Sequence, residues 1–221
     1  MKGLLIKDLK IIMNQKKFLI MYLFVAIVLS FSMDSTFIVS YFPMVGVLLI
    51  LSTITYDYQD DGFSFLMTLP INPGDYAVAK YVFSILGTIC VWGFSVILQF
   101  AGLHIQKTPY VLSTTLITDA CILAMFMIII SIMIPIDIKY STEKGRIVMF
   151  LIFGIVMGAV IAGKGILEVI SNKLGITFFD GPNPFDSFSP ALFAAALYAV
   201  CVFCLSISMM ISIRVMKKRE F

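Results

Sequence analysis

Six apolar runs, each close to the length of a bilayer crossing, limit this chain to very few architectures. They occupy residues 18–33, 36–56, 80–103, 111–136, 147–163 and 190–213. A membrane-spanning helix takes about 20 such residues, so a chain of 221 residues holds six spans and little else. The composition agrees: 60% of residues are hydrophobic and 13% charged, with a mean hydropathy of +1.02. Soluble domains run at about 45–50% apolar and about 25% charged. The expected fold is therefore all-α, a polytopic membrane protein with six transmembrane helices in a single transmembrane domain over residues 1–221. No soluble domain of useful size fits. The net charge of +3 gives no ground for a nucleic-acid partner.

The basic residues set the sidedness. Lys2, Lys7, Lys10, Lys16, Lys17, Lys80, Lys139, Lys144, Arg146, Arg214, Lys217, Lys218 and Arg219 collect on one side of the six-span scheme. Only Lys107, Lys164 and Lys173 fall on the other. The positive-inside rule then puts both termini in the cytoplasm, as expected of a multi-pass protein of the plasma membrane. Residues 1–17 read as an amphipathic helix lying on the lipid surface. Lys7, Lys10, Asn14 and Lys17 share one face, and Leu5, Leu9 and Ile12 share another. A signal peptide is the competing reading, but no A-x-A-like cleavage site follows residue 33.

On the cytoplasmic side, residues 57–80 (DYQDDGFSFLMTLPINPGDYAVAK) form the longest polar interruption in the first half. Phe63, Phe65, Leu66, Met67 and Leu69 nevertheless stand in its middle, and exposed apolar groups in such numbers call for a cover. Pro70 stops any helix begun near Asp60 and Asp61. Asn72-Pro73-Gly74-Asp75 then restarts one, with Asn as N-cap, Pro at the first helical position and Asp in the first turn. The reading is a short surface helix between spans two and three, gripped by something outside the chain. A second cytoplasmic contact is expected at Lys139, Tyr140, Glu143, Lys144 and Arg146, between spans four and five. On the outer side, residues 164–189 combine a helical pattern with a Gly181-Pro182-Asn183-Pro184 break and several Phe residues. That pattern suits a re-entrant or interfacial segment, with a plain surface loop as the alternative.

Signals for enzymatic chemistry do not converge. The sequence has one histidine, His104, where a membrane metalloprotease needs several ligands, so no metal site is expected. Ala162-Gly163-Lys164-Gly165 only echoes a phosphate loop. No cofactor is expected in this chain. Cys90, Cys121, Cys201 and Cys204 lie in apolar runs and read as packing residues. Asp119 is the charge inside a run. If its span begins near Leu116 it sits in the first turn, near the outer interface; otherwise it faces an internal cavity. Gly154, Gly158 and Ala162 are spaced for close helix packing. Pro43 and Pro135 are expected to kink their helices or free backbone groups.

The order of these parts resembles the ABC-2-type permeases, the membrane subunits of bacterial ABC exporters. The likeness rests on the basic amphipathic helix of residues 2–17, the six spans, and Leu69-Pro70-Ile71 ahead of Asp75-Tyr76-Ala77-Val78-Ala79-Lys80-Tyr81. It is greatest to the small Gram-positive permeases, such as those of phenol-soluble modulin exporters. The resemblance implies that Asp60, Asp61, Phe63, Phe65, Leu66, Met67, Leu69 and Pro70 form a coupling helix docking into a cytoplasmic ABC ATPase. It also implies a second permease copy, with ATP and Mg2+ bound by the partner ATPase. The expected function is export of an amphipathic peptide or lipid-like substrate, since the Phe- and Met-rich spans offer few polar ligands. The alternative is a non-transporting assembly factor or sensor partner.

Overall fold

The computed structural model describes residues 2–32, 35–59, 62, 66, 68, 72–107, 109–140 and 190–218. Its elements are α1 (Lys2–Asn14), α2 (Lys16–Ser32), α3 (Ser35–Tyr58), α4 (Pro73–Gln106), α5 (Leu112–Lys139) and α6 (Pro190–Lys218). Four of the described helices, α3 to α6, are long and apolar enough to cross a membrane. The number becomes five if α1 and α2, bent by 72° at Gln15, count as one span. The chain is a multi-pass, all-helical membrane protein. The run at residues 147–163, with Gly154, Gly158 and Ala162, lies outside the described residues, as does the outer region 164–189.

Local chemistry places the helix ends. At the bend, the Gln15 amide bonds Ile12 O at 3.0 Å, and the Gln15 side chain donates to the Tyr56 hydroxyl of α3 at 3.1 Å. Asn72 stands at the N-cap position of α4 in an extended conformation but makes no side-chain capping bond, and Pro73 supplies a first position that has no N–H to satisfy. Asp75 stands in the first turn, beside the positive end of the helix dipole. Lys107 closes α4 in the left-handed conformation, φ 52°. α3 and α5 each continue past their proline, Pro43 and Pro135, which cannot donate to the carbonyl four residues earlier.

The main core lies among α3, α4, α5 and α6. Its centre is Ile54, Tyr76, Ala77, Ile130, Ile134, Ile138 and Met216, all essentially inaccessible. A smaller core joins α2 to α3, where Tyr22 stacks on Phe42 with ring centroids 4.2 Å apart. Lipid supplies no hydrophobic drive between helices, so close approach and polar contacts hold such bundles. Both are present. A Cβ on Gly46 would stand 2.6 Å from Val91 Cγ1, so α3 and α4 touch where that side chain is missing. The Tyr81 hydroxyl meets Ser208 Oγ at 2.5 Å and Ser212 Oγ at 2.9 Å, tying α4 to α6. Ser208 in turn donates to the Ser131 carbonyl of α5. The four cysteines are free, Cys201 buried and Cys90 exposed.

Candidate functional site

Residues 57 and 80, the two ends of the long polar stretch, are an ion pair. Lys80 Nζ lies 2.8 Å from Asp57 Oδ2 and 2.8 Å from Asp8 Oδ1. Lys7 completes the group, bonding Asp57 Oδ1 and standing 3.4 Å from Asp8 Oδ1. Two lysines and two aspartates make a neutral quartet. The elements that carry it are α1 (Lys7, Asp8), the last turn of α3 (Asp57) and the start of α4 (Lys80).

The surroundings explain why charges are tolerated there. Tyr76, one turn before Lys80 on the same face of α4, donates its hydroxyl to Asp57 Oδ2 at 2.9 Å. The Lys80 ammonium lies 5.5 Å from the centre of the Tyr76 ring, close enough for a cation–π contribution. Lys80 also reaches Thr53 O at 3.4 Å and Thr53 Oγ1 at 3.3 Å. Asp8, Asp57 and Lys80 side chains are almost wholly buried, whereas Lys7 keeps 30% of its side chain exposed. Buried charges are stable only when paired and hydrogen-bonded. Every member here meets that condition, except that Asp8 Oδ2 has no hydrogen-bond partner among the described residues. Tyr58, beside Asp57, donates to the Ile138 carbonyl at 2.9 Å and fastens this end of α3 to the end of α5.

α1 therefore does more than display a basic face. Leu4 and Asp8, one turn apart, are the residues it buries. Leu9, expected to share an apolar face with Leu5 and Ile12, stands exposed with Ile6 and Met13 on a stripe pointing away from the bundle.

The sequence-derived contacts fall unevenly on the structure. Of the coupling residues, Leu66 packs into the chain's own core. Asp60, Asp61, Phe63, Phe65, Met67, Leu69 and Pro70 lie outside the described residues. So do Glu143, Lys144 and Arg146 of the second contact. Tyr140 caps α5 through its backbone N–H to Ile136 O, and Lys139 Nζ sits 4.9 Å from the Tyr140 ring centre.

At the opposite end, Asp119 departs from the reading that put it in a first turn. α5 starts at Leu112, so Asp119 lies two turns in, fully buried. The Trp92 indole donates to its backbone carbonyl at 2.9 Å, and Tyr198 of α6 donates to the next carbonyl, Ala120 O, at 2.9 Å. The Gln99 side chain of α4 is the polar group that faces the carboxylate, near enough to interact with it, although neither group completes a well-formed hydrogen bond among the described residues.

The sequence matches the family model described as "ABC-2 family transporter protein" over residues 3–217. No curated protein and no solved structure gives a match.

Proposed function

From the premise that the chain belongs to the ABC-2 transporter family, we propose that it is the permease subunit of an ATP-driven exporter. Membership makes it the membrane component of an ABC transporter, working with a separate ABC ATPase. The finer reading has two copies forming a pathway for an amphipathic peptide or lipid-like substrate. Residues 57–80 and both termini face the cytoplasm, with α1 on the lipid surface and ATP and Mg2+ held by the ATPase.

One observation supports this reading above the rest. The loop of residues 57–80 is closed at its base by Asp57 and Lys80, and both are bonded to α1. On this reading, a push on the stretch reaches α1, α3 and α4 together, because those ion pairs join the three helices at its ends.

The test is Phe65→Asp in the chain purified with its ATPase. A buried aromatic at a docking surface is worth about 2 kcal/mol or more, so the variant should insert normally but lose the ATPase on co-purification. It should also lose stimulation of ATP hydrolysis by amphiphiles. A variant that retains both would remove residues 57–80 as the coupling element.

A further inference from the structure

Leu4 and Asp8 turn α1 towards the bundle, and the helix leaves another face free. Ile6, Leu9 and Met13 are each more than half exposed, and their three- and four-residue spacing sets them in one stripe. The direction of the helix decides what that stripe meets. α2 carries no charge after Lys17, and α1 is bent from it by 72°. With α2 along the bilayer normal, such a bend lays α1 close to the membrane plane. Its depth follows from its contacts. α1 is bonded to Asp57 at the end of α3 and to Lys80 near the start of α4. The basic end of α6 stands at the same level, since a Cβ on Gly74 would lie 3.7 Å from Ile213 Cγ2 and 4.0 Å from Lys217 Cε. The stripe therefore runs along the margin where the apolar helices leave the lipid.

The free surface of α1 and of the first turn of α2 carries charge of one sign. Lys2, Lys10, Lys16 and Lys17 are exposed, and none of them is in an ion pair among the described residues. Asp8 is the only acidic residue of 2–17, and it does not offset them, because it is turned inward onto Lys80. Asp60 and Asp61, which follow the quartet's Asp57 in the chain, are two charges against four. An apolar stripe with an excess of lysines beside it fits a phospholipid, with acyl chains against the stripe and phosphate against the ammonium groups. A second copy docked through the same face would set lysines against lysines. A zwitterionic headgroup already neutralises its own phosphate, so an excess of lysines favours a headgroup with net negative charge. We propose that α1 and the first turn of α2 form a docking surface selective for anionic phospholipid, with Lys2, Lys10, Lys16 and Lys17 holding the phosphates. The inference rests on the reading that α1 lies on the lipid surface, and it names the lipid. Because Asp8 bonds Lys80 on the other side of α1, lipid that holds α1 also holds the base of residues 57–80.

The full chain, without ATPase, is placed in nanodiscs of phosphatidylcholine and phosphatidylglycerol in equal amounts, with bromine on the chains of one lipid or the other. Leu9→Trp puts a fluorophore on the stripe, and the parent, whose single tryptophan is Trp92, supplies the blank. Bromine quenches tryptophan only in close contact. A lysine near an anionic surface contributes about a fivefold preference, so brominated phosphatidylglycerol should quench the Leu9→Trp signal about twice as strongly as brominated phosphatidylcholine, or more. At about 1 M salt, where the screening length falls to about 3 Å, the two lipids should quench equally while the quenching itself remains. Lys2→Gln, Lys10→Gln, Lys16→Gln and Lys17→Gln together should have the same effect as salt. Equal quenching by the two lipids at low salt, or a preference for phosphatidylglycerol that survives the four glutamines, overturns the anionic site. No quenching beyond the parent's means that protein rather than lipid covers the stripe, and overturns the placement of α1 on the lipid surface as well. Because the ATPase is left out, either failure leaves the coupling role of residues 57–80 to the Phe65→Asp test.

Discussion

Replacing Lys80 with methionine tests the ionic quartet most directly, because Met keeps the length and apolar stem while deleting the charge. Lys80 Nζ stands 2.8 Å from both Asp8 Oδ1 and Asp57 Oδ2, so those two oxygens are within about 6 Å of each other. Two unit charges about 5 Å apart repel by roughly 3 kcal/mol at an effective dielectric of about 20. In Lys80→Met only Lys7 remains to offset them, and its side chain is 30% exposed. Breaking a buried pair on one side costs about 3–5 kcal/mol, which agrees with that repulsion. At about 2–4 °C per kcal/mol for a chain of this size, the purified protein should unfold on the order of 10 °C lower. Adding Asp8→Asn restores neutrality, leaving Lys7 and Tyr76 on Asp57, and should recover most of the loss. The assay is thermal unfolding in one detergent or nanodisc, for the parent, both single variants and the double. A Lys80→Met protein within about 2 °C of the parent, or a double variant worse than Lys80→Met, would refute the reasoning.

Deleting residues 2–12 removes Lys7 and Asp8 together, so the remaining Lys80–Asp57 pair stays neutral. The truncated chain should insert and unfold later than Lys80→Met, while its coupling to the ATPase falls; loss of insertion would show that α2 needs α1 to enter the membrane. Gly46→Ala and Gly93→Ala should shift stability in opposite directions. Both gain up to about 1 kcal/mol of helix propensity, but the Cβ at Gly46 meets Val91 at 2.6 Å whereas the one at Gly93 meets nothing within 4 Å. Overpacking at a stiff β-branched neighbour costs about 1–3 kcal/mol, and equal thermal shifts for the two variants would disprove the close α3–α4 contact.

The spans at α3 to α6 were legible because continuous apolar runs leave the backbone no other option in lipid. The start of α4 was legible too, since Asn72-Pro73-Gly74-Asp75 carries its own punctuation. The quartet was not read, for a physical reason: Lys80 counts as one more cytoplasmic lysine, and its partners lie 23 and 72 positions away. A signal did exist. Asp8 is the one acidic residue among the lysines of residues 2–17, and a carboxylate on an otherwise basic helix asks for a cation elsewhere. Asp119 was misplaced because an apolar run does not mark where its helix begins. Val111 and Leu112 belong to the same run as Leu116, and only the observed N-terminus of α5 sets the depth.

α4 carries a member of each polar group, and the distance between them has a consequence. Lys80 and Gln99 are 19 positions apart on α4, about 28 Å at 1.5 Å per residue, close to the thickness of a bilayer's hydrocarbon core, about 30 Å. A bilayer with Lys80 at one margin therefore has Gln99 near the other, and the stretch of α4 between them holds only hydroxyls, small residues and apolar side chains. α4 runs as one continuous helix through residues 80–99, with no proline in that interval. On the proposed reading, displacement of residues 57–80 by the ATPase acts on the quartet at one end. The continuous helix α4 then carries the motion towards Gln99 at the other, beside Asp119 on α5. On that reading the two polar contacts of α4, Lys80 with Asp8 and Asp57 and Gln99 beside Asp119, are where work done on residues 57–80 would pass to the neighbouring helices.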